Sequence, residues 1–150
     1  MGRGGPEMPH SATPNTRATD LLPWPATGGE RLELSLEGSP EAPARARRAM
    51  AALRDELGPD LLERARLLIT ELVANSVTHA HTDRVDLRVV VADDAVWTEV
   101  TDRGPGFAPT PRGFTDDPGW GLFLVGRLAD RWGVVRDQSR TRVWFELARA

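Results

Sequence analysis

The chain has 150 residues, 40% hydrophobic and 27% charged, the make-up of a soluble domain long enough to bury one core. No apolar run approaches the ~20 residues of a membrane helix, no signal-like segment opens the chain, and a net charge of −3 offers no broad basic field for nucleic acid, so a cytoplasmic location is expected. With no cysteine, disulfides, thiolate metal sites and a cysteine nucleophile are excluded, and because all 19 basic residues are arginine the lysines of Walker loops and eukaryotic-type kinases are absent.

Residues 1–29 hold five prolines and five glycines and show no apolar periodicity. Such a segment cannot bury enough surface to offset its ordering entropy. A disordered Pro/Gly-rich tail is therefore expected over 1–29, followed by one domain over 30–150. Trp24, between Pro23 and Pro25, is a candidate for docking on that domain.

Arg31 to Glu37 alternates apolar and polar, the pattern of a half-buried strand. Gly38-Ser39-Pro40 ends it, and Ser39 or Pro40 can open a helix running to about Leu57. That helix turns Ala46, Ala49, Met50, Leu53 and Leu57 inward and leaves Arg45, Arg47, Arg48 and Arg54 on other faces. The arginines read as a solvated face, or as a docking surface for an acidic partner. Gly58-Pro59-Asp60 is a stop and restart, with Asp60 as the expected N-cap.

The central helix follows to about Ala80. Ala65, Leu68, Ile69, Leu72, Val73, Val77 and Ala80 form one apolar face, and Glu71, Asn75 and His79 recur every four residues beside it. A carboxylate and an amide held one turn apart can reach into a cleft together; the same stripe also suits a solvated boundary. Next come two alternating runs, Arg84 to Val91 and Val96 to Thr101, joined by Asp93-Asp94 as an antiparallel hairpin. After Asp102, four prolines exclude a helix over about 16 residues, a length typical of a functional lid. Gly121 to Trp132 reads as a helix with Leu122, Val125, Leu128, Ala129 and Trp132 on one face. Two closing strands, Gly133–Asp137 and Arg142–Leu147, flank a turn near Gln138-Ser139. This order gives an α+β two-layer sandwich, a mixed and mainly antiparallel sheet covered on one face by three helices.

Two further segments carry chemistry. Asp102-Arg103-Gly104-Pro105-Gly106 places an aspartate at a strand end, beside glycines that let a flat ring approach the backbone. It reads equally as an ordinary Asp/Gly/Pro turn, and Pro105 and Pro109 stop the helix a Rossmann motif must open. Gly119-Trp120-Gly121-Leu122 opens a helix, where free N–H groups and a partial positive charge suit phosphate; loop and packing roles for the two glycines are the alternative.

In this order and on these elements, the three segments resemble the ATP-binding motifs of the gyrase, Hsp90, histidine kinase and MutL superfamily. The resemblance is strongest to the small bacterial anti-sigma-factor serine/threonine kinases, in Glu71-Leu72-Val73-Ala74-Asn75-Ser76-Val77-Thr78-His79-Ala80 and Gly119-Trp120-Gly121-Leu122-Phe123-Leu124-Val125. It covers about Leu32 to Leu147 and implies a Bergerat-type ATP-binding fold. It further implies that Asn75 coordinates Mg²⁺, that Glu71 is the general base, and that Asp102 accepts from the adenine amino group in a pocket shaped by Gly104 and Gly106. Gly119, Trp120, Gly121 and Leu122 would hold the phosphates under a lid from Phe107 to Pro118, and His79 would support the site from the helix end. The family's threonine directly before Val-Trp-Phe has Arg142 in its place here, with Thr141 one residue earlier and on the opposite face of a regular strand.

The implied function is an ATP-dependent kinase that sequesters a sigma factor and phosphorylates a small anti-anti-sigma (STAS-type) partner, with a homodimer also implied. No direct contact with nucleic acid or membrane is expected. A nucleotide-sensing binding module with little or no transfer is the alternative. A detached histidine-kinase catalytic domain is a third reading, in which the accepting histidine would come in trans.

Overall fold

The computed structural model describes residues 29, 31–79, 82–102, 120–136 and 140–149, excluding the side chains of residues 79 and 120–123. The expected tail with Trp24, Gly104 and Gly106, the lid, Gly119 and the turn at Gln138-Ser139 lie outside the described residues.

Strand β1 (Arg31–Glu37) is followed by helix α1 (Ala42–Ala49), a tighter 3₁₀ turn over Met50–Leu53, and the short helix α2 (Arg54–Leu57). The expected single helix to Leu57 is thus interrupted. The tight turn brings residues three apart into line, and here it aligns Met50 and Leu53, both essentially fully buried. Gly58, at φ +80°, donates its N–H to Arg54 O and accepts from Leu62 N. It closes α2 and opens α3 (Pro59–His79) from a backbone conformation that favours glycine. Pro59 takes the first helical position and Asp60 lies in the first turn, so the expected Asp60 cap is corrected to Gly58.

The hairpin forms as β2 (Arg84–Val91) and β3 (Ala95–Asp102). Helix α4 (Trp120–Leu128) ends earlier than its apolar pattern suggests, and Trp132 lies on β4 (Arg131–Arg136), which pairs with β5 (Thr141–Ala148). Ala129 N closes the last helical turn on Val125 O, and Asp130 N then bonds to Glu146 O, so the ladder captures the chain before another turn can form. Trp132 still packs on the core, from a strand instead of a helix.

The sheet order is β1-β2-β3-β5-β4, and among the described residues all four pairings are antiparallel, without the parallel component a mixed sheet would have. The described helices pack on one face. There Val85, Leu87, Val89, Val96, Val100, Phe145 and Leu147 meet Ala46, Met50, Leu53, Leu68, Ile69 and Val73 in one continuous core. Each large side chain buried in it contributes roughly 1.5–3 kcal/mol. Among the described residues no helix is long and apolar enough to cross a membrane.

Candidate functional site at the end of the sheet

Helix α3 seats Leu68, Ile69, Leu72 and Val73 in the core, at most 3% exposed. Glu71 and Asn75 consequently fall at the half-buried boundary of the helix, one turn or about 6 Å apart along its axis. His79 ends the helix. Four residues separate His79 from Arg84, so the end of α3 and the start of β2 lie within roughly 17 Å. In the β2–β3 register Val85 faces Asp102, which brings the end of β3 to the same end of the sheet. Helix α3 also contacts β2, β3, β5 and α4.

Asp102 is only 4% exposed. It shares the helix-facing parity of Val96 and Val100, and across the β3–β5 ladder it pairs with Thr141, itself 8% exposed. The corresponding β4 residue is Arg136, so one row across the sheet runs Val85, Asp102, Thr141, Arg136. Partial burial lowers the pKa of the Arg136 guanidinium, which nevertheless remains charged at neutral pH.

This row bears out the expectation that Thr141 and Arg142 lie on opposite faces of the strand, and it shows which face each takes. Phe145 and Leu147 lock the odd-numbered residues of β5 onto the helix-bearing face, and Thr141 is carried with them. Arg142 turns to the other face and meets Glu99 at 3.6 Å. The inward threonine is therefore present, one residue earlier than expected. The alternation of Val143, Phe145 and Leu147 was the signal that identifies it. Arg136 had no such signal, because its place depends on the β4–β5 pairing.

Helix α4 begins at Trp120, with the backbones of Gly121 and Leu122 in its first turn and no acidic residue there. Its opening N–H groups have no partner within the helix and no neighbouring carboxylate in that turn to repel an anion. Of the expected site, Asp102 lies at the sheet end where the chain returns from α3, and α4 packs beside α3. Among the described residues no group of three or more His, Asp or Glu could hold a metal ion. A cation at Asn75 would draw most of its ligands from phosphate and water, as Mg²⁺ commonly does. The donor set suits a purine nucleotide. A buried carboxylate accepts from an exocyclic amino group, and a neighbouring hydroxyl can donate to a ring nitrogen.

A model of the family described as histidine kinase-like ATPase domain matches residues 36–147. The crystal structure of the RsbU and RsbW domains of Rv1364c from Mycobacterium tuberculosis matches with a TM-score of 0.63 at 20% identity, covering 81% of this chain and 34% of that one. At that identity the likeness speaks for the fold, and this chain spans about a third of that chain's length. No curated protein matches.

Proposed function

The chain belongs to the histidine kinase-like ATPase domain family, and from that premise we propose that it binds Mg²⁺–ATP and transfers the γ-phosphoryl group to a serine or threonine of a protein partner. One observation carries the reading. Asp102 and Thr141 stand opposite each other, buried, at the sheet end from which the Glu71/Asn75 helix is reached.

In this proposal Asp102 accepts the adenine amino group, and the Thr141 hydroxyl bonds to the ring beside it. The Asn75 side-chain oxygen would hold Mg²⁺, which when bound supplies charge neutralisation across the phosphates. Backbone N–H groups at the start of α4, from Gly121 and Leu122, orient the phosphates, and Gly119 would add to them. Glu71 accepts the proton of the attacking hydroxyl, a role that needs hydrogen-bond reach to that hydroxyl and no further chemistry from the chain. Positioning and charge stabilisation supply the rest, as is general for phosphoryl transfer.

The proposed partners are a sigma factor, held as an anti-sigma regulator holds it, and a STAS-type anti-anti-sigma protein that receives the phosphoryl group. The RsbW domain named in the structural neighbour supports this assignment by fold. The exposed Arg45, Arg47 and Arg48 of α1 offer a cationic surface for the partner; Arg47 there meets Glu63 at 3.6 Å, with both side chains about half exposed.

The deciding experiment is calorimetric titration of ATP with and without Mg²⁺, on wild type and Asn75→Ala. Metal-dependent binding weakened by the substitution is the expected result. Absence of binding to any adenine nucleotide would overturn the proposal.

A further inference from the structure

Among the described strand residues, charge on the helix-bearing face of the sheet is confined to Asp102 and Arg136. Both stand in the outermost row, with Thr141 between them and directly opposite each. The next row inward is wholly apolar: Leu34, Leu87, Val100, Val143 and Val134. Arg136 also differs from the arginines of the other face. Arg88, Arg131 and Arg142 each meet a glutamate within 3.6 Å, whereas Arg136 has no carboxylate partner among the described residues. Its side chain is exposed and open to a ligand.

Asp102, Thr141 and Arg136 differ in what they offer a ligand. A carboxylate only accepts hydrogen bonds, a hydroxyl donates and accepts, and a guanidinium only donates. Adenine presents the complementary series along one edge of its six-membered ring, where the amino group donates and N1 and N3 accept. The amino group and N3 project from opposite corners of that ring. Such a ring with one hydrogen bond at each end spans roughly 10 Å. The Cα atoms of Asp102 and Arg136 are two strand spacings apart, roughly 9.6 Å, so the row and the base edge match in length as well as in polarity. The apolar row beside the triplet is the kind of surface on which the face of a flat ring rests.

We propose that Arg136 is a third base-reading residue of the nucleotide site, its guanidinium donating to N3 of adenine while Asp102 and Thr141 serve the amino group and N1. The inference rests on the adenine assignment made under the proposed function, and it gives Arg136 a part in selecting the base. Guanine and 2-aminoadenine carry an amino group on the carbon between N1 and N3. That group sets a donor against the donor-only guanidinium, so Arg136 disfavours both relative to adenine.

The test is calorimetric titration of the full chain with Mg²⁺–ATP and with its 3-deaza analogue, in which C–H replaces N3. In wild type, a comparison that needs no substitution, the analogue is expected to bind about 10- to 100-fold more weakly, the usual range for a lost hydrogen bond to a charged group. Arg136→Met is expected to weaken ATP to the level of the analogue and to bind the two equally. The 2-amino derivative of ATP, disfavoured by wild type, is expected to gain on ATP in this variant. Equal affinity of wild type for ATP and the 3-deaza analogue would overturn the inference and leave the ATP assignment standing. An undiminished preference for ATP in Arg136→Met would do the same. Absence of binding to any adenine nucleotide would overturn the adenine assignment and this inference with it.

Discussion

Thr141 stands directly opposite Asp102 in the β3–β5 ladder, and its neighbour Arg142 is turned to the far side of the sheet, 3.6 Å from Glu99. Residues paired in such a ladder have Cα atoms about 4.5–5.5 Å apart, close enough for one planar ring to meet both side chains. The proposed adenine contact therefore consists of a carboxylate and a hydroxyl from adjacent strands. The register that brings them together is held by Phe145 and Leu147, both fully buried.

If this pairing holds adenine, Asp102→Asn should weaken ATP binding by about 10- to 100-fold, the usual range for a hydrogen bond to a charged group. Thr141→Val should cost less, on the order of 3- to 10-fold for a neutral hydrogen bond. Arg142→Ala should leave affinity within about twofold. Calorimetry on the three variants checks the order, and a large loss in Arg142→Ala alone would place the contact on the other face.

Glu71→Gln should bind ATP as wild type does and lose phosphotransfer to the partner by about 10²- to 10⁴-fold, the contribution typical of a positioned general base. Single-turnover transfer of labelled γ-phosphate measures it. Wild-type rates in this variant would remove Glu71 from the chemistry.

Reversing the charge at Arg45, Arg47 and Arg48 together should reduce partner affinity, with most of the effect on association rate and a weaker dependence on salt. These side chains are exposed on α1 and are not among the proposed nucleotide contacts, so ATP affinity should be unchanged. Surface plasmon resonance against the partner at two ionic strengths separates this from a face that is merely solvated.

Phe145→Ala should destabilise the domain by about 3–5 kcal/mol, because it removes the largest fully buried side chain from the strand that also carries Thr141. A denaturant midpoint close to that of wild type would contradict the packing described.

The carboxyl of Glu146 has its pKa raised, chiefly by burial and further by Asp130 and Asp94, while Arg131 at 3.3 Å opposes the shift. The folded protein therefore holds this proton more tightly than the unfolded chain does. Its favourable contribution is complete below the ordinary value of 4.5 and is lost as pH rises through the raised one. Melting temperatures of wild type and Glu146→Gln across that range should converge at the acid end, and the variant should gain on wild type toward neutral pH. A difference independent of pH would assign the burial cost to some other group.

Periodicity made much of this legible in advance. The alternation in β1, β2 and β3 set those strands to within about a residue, and the apolar face of α3 set that helix to within two, because each pattern records which side meets the core. The Glu71/Asn75 stripe was readable for the same reason. Less legible were the ends of elements. The helix drawn to Trp132 stops at Leu128, because a hydrogen-bonding partner on β5 was available to the chain, and local pattern does not see a partner distant in sequence.

The sequence by itself determined the element order, the core faces and the absence of lysine and cysteine chemistry, and it singled out the acid, amide and glycine residues proposed for the site. Only the tertiary structure decided that Thr141 stands directly opposite Asp102 and that Arg136 ends the same row. These depend on strand register and pairing, which join residues tens of positions apart. A shift of one residue in register would exchange the two faces of a strand while leaving its sequence unchanged.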